Sequence, residues 1–464
     1  MRQKCSLILL ALCLLLTACG PAVQPEQEPE PPLEASAPEE MPAPAEEPQM
    51  PDLPQREREW VEDIEFLREK IRTEHPDPFR FCTEEEFDLK MDQLSAGVGE
   101  LSDSDIYYEL SAIVSSLGDN HTYLMDLDSV PVCDRLFPVW LCFFDNKLYL
   151  YAYLEGYEQF EPYLLHEVVA VNGVNTLYLQ QKAASLVGSS SWAGRVIAPF
   201  YPTFFDWAGC DYKEGYTFQI LNDNQEVESV EVPVITADTD EATPRVFPEG
   251  WLDMAFVYNE NRTAYVEGED GGCVQWCIGS MFSLSNIQRY LREVGELLEE
   301  HPDCEKVAID LRRCPGGFAD MEPVIQELRN AAQLWEGKRI FVLTWGQTAS
   351  AATRLIAFFK DEYGAVTAGE PTGQFSSFFS TTGNDRVFNL PHHAEIRVSI
   401  SDVWRDSAVL LPYLEITPIF EEHYDEDGRL YPWENTILPD AFVYLDIEDL
   451  RQGKDSVMEW VLAQ

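Results

Sequence analysis

The chain has 464 residues, which allows two or three domains. Apolar residues make up 45% and aromatic residues 12%, ample for a packed core. The formal charge is −50, from 82 acidic against 32 basic residues. A surface of that sign repels nucleic acid and anionic lipid head groups, so no nucleic-acid partner is expected.

Residues 1–19 have the pattern of a targeting segment. Arg2 and Lys4 give a basic start, and Ser6 to Leu16 is mostly apolar. The segment is too short for a transmembrane helix, which needs about 20 apolar residues. Its end, Leu16-Thr17-Ala18-Cys19-Gly20, resembles a bacterial lipoprotein signal. That resemblance implies lipidation of Cys19, export, and anchoring to the outer face of the bacterial cell membrane. Residues 20–55 follow as a spacer rich in Pro, Glu and Ala, with no basic residue from Pro21 to Gln55. Proline stiffness and charge repulsion predict an extended, disordered stalk.

Eight cysteines remain beyond Cys5, Cys13 and Cys19. In an exported protein some of them are able to pair. Cys273 and Cys277 fall in one strand-like segment, where four residues span roughly 13 Å. That separation suits neither a disulfide nor chelation of one ion, so both read as core residues. No metal or cofactor site is expected.

Residues 56–128 read as an N-terminal helical region. Trp60, Ile64, Leu67 and Ile71 recur at helical spacing. Thr83 with Glu86 is a capping-box start for a helix through Leu94, and Ser102 and Ser104 are candidate caps for the next. That helix ends at Ser115-Ser116-Leu117-Gly118. His121 stands in the polar turn that follows. A lone histidine is commonly structural, but turns after helices concentrate functional side chains.

Residues 129–240 read as a small β-rich module. FPVWLCFFDNKLYLYAYL gives two strands around Asp145-Asn146. Glu167 to Val174 is a strand running into an Asn172-Gly173 turn, with a short helix from Tyr178 to Leu186. Phe218–Leu221 and Val227–Val234 form a hairpin.

Residues 250–464 alternate strand and helix, which argues for an α/β core with βα crossovers. Strands are expected at Val274–Ile278 and Lys306–Leu311, with an amphipathic helix at Asn286–Glu300. The loop after Leu311, Arg312-Arg313-Cys314-Pro315-Gly316-Gly317, carries adjacent glycines that let bare N–H groups face a neighbouring site. It lacks the G-x-G-x-x-G spacing of a dinucleotide site. Ile340–Leu343 is a buried strand, broken at Trp345-Gly346-Gln347. Ala351, Ala352, Leu355, Ile356 and Phe359 then repeat at helical spacing. Ser350 therefore sits where strand becomes helix, beside free amide donors suited to an oxyanion. The plainer role for such a serine is an N-cap. If the two strands run parallel, Gly316 and Gly317 face Ser350. Later strands are expected at Ala365–Ala368, Val387–Leu390, Glu395–Ser399 and Ala441–Asp446.

Taken in order, SLGDNHTYL, VVAVNGV, VAIDLRRCPGG, LTWGQTASAA, TAGEPTG and PWENTILPD resemble the S41 peptidases, the tail-specific or C-terminal processing protease family, over roughly residues 57 to 446. The resemblance implies an α/β (α+β multi-domain) architecture: a helical N-terminal segment, a PDZ-like module around VVAVNGV, and an S41 protease core. It implies that Ser350 is the nucleophile. The amide of Ala351 and that of Gly316 or Gly317 would form the oxyanion hole, and the partner would be a peptide or protein substrate.

Two departures bear on mechanism. The processing-protease branch uses a lysine just after a G-E-x-T motif, whereas Gly369-Glu370-Pro371-Thr372 is followed by Gly373-Gln374-Phe375. Lys360 lies on the serine's own helix, about 15 Å along its axis, and is a poor substitute. The chain looks more like the tricorn branch, which uses Ser, His and Glu; His121 fits that histidine, preceded by Asn120 where the family has serine. Glu434 is the candidate orienting carboxylate, with Asp440 next. Cys314 stands where asparagine is common. The expected chemistry is acyl transfer, with His121 as base for Ser350. A catalytically inactive S41-fold lipoprotein that binds peptide or another ligand in the old cleft is the alternative. A hydrolase of a non-peptide acyl substrate is a third reading.

Overall fold

A computed structural model describes residues 53–80, 82–119, 121–125, 135–144, 147–186, 202–210, 215–236, 245–247, 261–269, 271–279, 283–317, 321–373, 378–379, 387–401, 403–404, 423–424, 430–431 and 437–464. The expected leader and nearly all of the stalk lie outside these residues, as do Cys133 and Glu434.

The first helix, Gln55–Glu74, buries Trp60, Ile64, Leu67 and Ile71 on the stripe set by helical spacing. Helix Glu84–Gly97 begins with the expected capping box. Thr83 N donates to Glu86 Oε2 at 3.1 Å, and Glu86 N donates to Thr83 Oγ1 at 3.2 Å. Helix Asp103–Ser115 is capped by Ser102, whose box partner is Asp105; Ser104 lies inside the first turn.

The β-rich part is an antiparallel sheet. Val139–Phe144 pairs with Lys147–Leu154, which pairs with Glu167–Val171, then Tyr216–Leu221, then Val227–Val232. Asn172 and Gly173 turn the chain with φ of 47° and 78°. Both signs are positive, as a two-residue hairpin loop of matching twist requires. The three N-terminal helices and this sheet share one hydrophobic core, which also takes in Leu390, Ile396, Val398 and Ile400.

The α/β half has the order Arg262–Val266, Cys273–Cys277, Lys306–Asp310, Arg339–Thr344, Val366–Gly369, Ala441–Phe442. The first pair is antiparallel and the rest are parallel. Helices Leu284–Glu300, Glu322–Asn330 and Ala351–Tyr363 make the crossovers. Strand Lys306–Asp310 is buried along its whole length, as a strand covered on both faces should be. Against the second face lie Leu450, Val457, Met458 and Val461 of two C-terminal helices, Ile447–Arg451 and Ser456–Ala463. The sequence pattern did not reveal these helices. The expected strands at Glu395–Ser399 and Ala441–Asp446 are shorter, Arg397–Ser399 and Ala441–Phe442.

Among the described residues no cysteine is held in a disulfide, and Cys273 and Cys277 are buried core residues as expected. No described helix is long and apolar enough to cross a membrane.

Arg312 ties the glycine loop to the C-terminus. Its guanidinium lies between two carboxylates, buried Asp310 and the partly buried Asp455. It reaches Asp310 Oδ2 at 2.7 Å, and Asp455 through Oδ1 at 2.8 Å and Oδ2 at 2.5 Å. The side chain is 1% exposed. Burial works against its charge, but the two carboxylates outweigh that and raise its pKa. Truncation leaves two acids facing each other without a cation. Arg312→Ala should therefore lose about 3–5 kcal/mol, read from urea midpoints.

Candidate active site

Strands Lys306–Asp310 and Arg339–Thr344 are parallel, with Lys306 opposite Arg339 and Asp310 opposite Leu343. Their following loops therefore leave the same sheet edge, as the sequence required for Gly316 to meet Ser350. Short bonds stitch the loops together. Thr348 Oγ1 donates to Leu311 O at 2.8 Å, and Ala349 N donates to Cys314 O at 3.1 Å. Gly373, at the end of the G-E-P-T-G segment, donates its N–H to Thr348 O at 3.0 Å.

Ser350 stands at the N-cap position of helix Ala351–Tyr363, but its side chain makes no capping bond. The plain capping role is therefore not the one its hydroxyl plays. Its φ is +50° and its ψ −124°. A non-glycine residue in that region is strained by about 1–3 kcal/mol and persists only when its surroundings hold it. Here the strain turns Oγ away from its own helix toward His121. The Nε2 of His121 lies 3.0 Å from Ser350 Oγ, across 229 positions of sequence. That is hydrogen-bond distance for a nucleophile and its base.

The glycine loop closes on the same serine. Gly316 has φ +107°, and a β-carbon there would stand 2.6 Å from Ser350 Cβ and 2.9 Å from Ala351 N. Only glycine fits. Among the described residues, the Ala351 N–H has no backbone acceptor, as the first amide of a helix should not. Beneath the loop, burial pushes the Cys314 thiol up to about 12, against a smaller opposing hydrogen bond from the Gly316 amide. This thiol is an inert core group.

His121 reaches the site from the turn after helix Asp103–Ser115. Strand Tyr123–Met125 pairs antiparallel with Arg397–Ser399, with Tyr123 opposite Ser399. Asp119 is buried beneath the turn. Its Oδ1 accepts the His121 N–H at 2.9 Å and its Oδ2 accepts the Thr122 hydroxyl at 2.5 Å. Burial would raise the Asp119 carboxyl, but hydrogen bonding to His75 and the neighbouring imidazoles of His75 and His121 outweigh it and hold it below the usual carboxylate range. Asp119 was not singled out from sequence. Its position two residues before His121, in SLGDNHTYL, was the available signal.

Of the carboxylates considered for orienting the histidine, Glu434 lies outside the described residues, as does Asn120. Asp440 binds Lys360 Nζ at 2.5 Å, Thr367 N at 2.8 Å and Thr367 Oγ1 at 2.9 Å. Lys360 lies about 15 Å along the helix from Ser350, so Asp440 serves the other end of that helix. Among the described residues no group of His, Cys, Asp and Glu is arranged to hold a metal ion.

No family model matches the chain, and no curated protein matches it. Solved structures do. Mature CPAF complexed with lactacystin superposes at a TM-score of 0.54 with 13% identity, covering 88% of this chain and 97% of that one. A second structure of mature CPAF gives 0.53 and 13%, covering 88% and 96%. The photosystem II D1 C-terminal processing protease matches at only 0.37, with 10% identity over 87% and 99%, too slight a likeness to carry an argument. The chain has an S41-type peptidase fold.

Two outcomes test this geometry. Gly316→Ala should displace the serine loop and cut any Ser350-dependent reaction by about 10²–10³, the cost of losing an oxyanion contact, measured as a rate against wild type. Asp119, with a lowered pKa, contributes stability that is fully present above its unfolded value of about 3.9 and is lost as pH falls through its folded value. The melting-temperature gap between wild type and Asp119→Asn should therefore narrow on acidification below about pH 4.

Proposed function

We propose that the chain is a serine peptidase, exported and held at the outer face of the bacterial membrane by lipid on Cys19. His121 takes the proton from Ser350 as Oγ attacks a peptide carbonyl. The tetrahedral oxyanion is received by the Ala351 amide and by that of Gly316 or Gly317. His121 then returns the proton to the leaving amine, and water clears the acyl-enzyme. An imidazole changes charge near neutral pH, which suits this exchange. Residues 20–55 act as a stalk that lifts the folded part off the membrane.

The observation that carries the reading is the 3.0 Å approach of His121 Nε2 to Ser350 Oγ, with that hydroxyl free of capping. The missing lysine after the Gly369-Glu370-Pro371-Thr372 motif is no obstacle to this reading, in which His121 serves as the base. A binding lipoprotein that had lost catalysis has no need to keep these two side chains together.

The test is labelling of the full chain, purified in detergent, with a fluorophosphonate probe and read by intact mass. One adduct is expected, lost in Ser350→Ala and in His121→Ala. Labelling that survives His121→Ala would mean another base. No adduct on folded protein would overturn the peptidase reading in favour of the binding lipoprotein.

A further inference from the structure

His75 follows directly on helix Gln55–Glu74, and its N–H donates to Ile71 O at 3.2 Å. Its ring is turned inward. Nδ1 accepts the Asp77 N–H at 3.1 Å, so the proton lies on Nε2, which donates to Asp119 Oδ2 at 3.1 Å. Both side chains are 0% exposed. Asp119 is thus a three-way junction. One oxygen holds the backbone of His121, and the other holds His75 and the Thr122 hydroxyl. Thr122 Oγ1 in turn accepts the Ser401 N–H at 3.0 Å, beyond strand Arg397–Ser399.

We propose that His75 and Asp119 are positioning residues for His121, acting as a buried histidine–carboxylate pair that fixes the turn from which the base reaches Ser350. The inference rests on His121 being that base. A buried carboxylate is stable only with its hydrogen bonds complete. Without the His75 donor, Asp119 either takes up a proton or draws in water. Either change loosens its hold on the His121 N–H and on Thr122. The imidazole then wanders relative to Oγ, and displacement of about 1 Å at a reacting group costs roughly 100-fold. Neither residue touches the reacting atoms. A histidine that only filled space would need no donor aimed at this one carboxylate.

The experiment measures fluorophosphonate labelling rates of the full chain for wild type, His75→Leu, His75→Gln and Asp119→Asn, each below its own melting temperature. Leucine keeps bulk and removes the donor; glutamine restores a donor. His75→Leu and Asp119→Asn should slow labelling about 100-fold, and His75→Gln should recover most of the rate. Should the leucine variant melt below the assay temperature, Asp119→Asn against wild type and His75→Gln carries the comparison. His121-dependent wild-type labelling with Leu and Asn variants at the wild-type rate would overturn this inference and leave the peptidase reading standing. Slowing that glutamine does not relieve would also overturn it, since packing alone would then explain the loss. Wild-type labelling that is absent or independent of His121 would remove the premise, and the inference with it.

Discussion

Strands Lys306–Asp310 and Arg339–Thr344 run parallel and in register, so both release their chains at one sheet edge. The site depends on that constraint. It sets the glycine loop beside the strand-to-helix connection, close enough for Thr348 and Ala349 to bond to carbonyls of the other loop. It also explains why position 316 tolerates no β-carbon and why Ser350 is held at positive φ. The strain is local, and the bonds that maintain it come from two neighbouring loops. Arg312, gripped by Asp310 and Asp455, anchors the base of the glycine loop to the C-terminal helix.

The histidine arrives from the other half of the molecule, and helix Gln55–Glu74 steadies its approach at two points. Near the middle, buried Asp63 accepts the N–H groups of His392 at 2.9 Å and His393 at 3.0 Å, and the His393 ring stacks on Trp60 at 3.8 Å. Those residues lead into strand Arg397–Ser399, the partner of the strand just after His121. Past the helix's end, His75 meets Asp119. One helix thus supports both sides of the turn that carries the imidazole.

Elements with a strong period were legible in sequence. The stripe from Trp60 to Ile71, the Thr83–Glu86 box, the Asn172-Gly173 turn and the buried strand before Ser350 each follow from local chemistry. Ser350 itself stood out because an apolar strand gave way to helical spacing at that point. His121 was visible only as a histidine in a polar turn; its distance to Ser350 depends on packing across 229 positions. Asp119 and His75 were illegible as a pair, because 44 residues separate them and neither belongs to a periodic pattern. The C-terminal helices were missed because the longer, Ser456–Ala463, has only eight residues and mostly apolar ones, too few to separate helix from strand by period. Backbone strain at Ser350 has no sequence signature.

The central claim is that Ser350 and His121 form a working nucleophile and base. The most direct measurement is the pre-steady-state time course of the full chain with an activated p-nitrophenyl ester. The account predicts a burst of one nitrophenolate per chain, with the acyl mass on the peptide containing Ser350, and no burst in His121→Ala. A linear time course with no acylated Ser350, on protein shown to be folded, would contradict it.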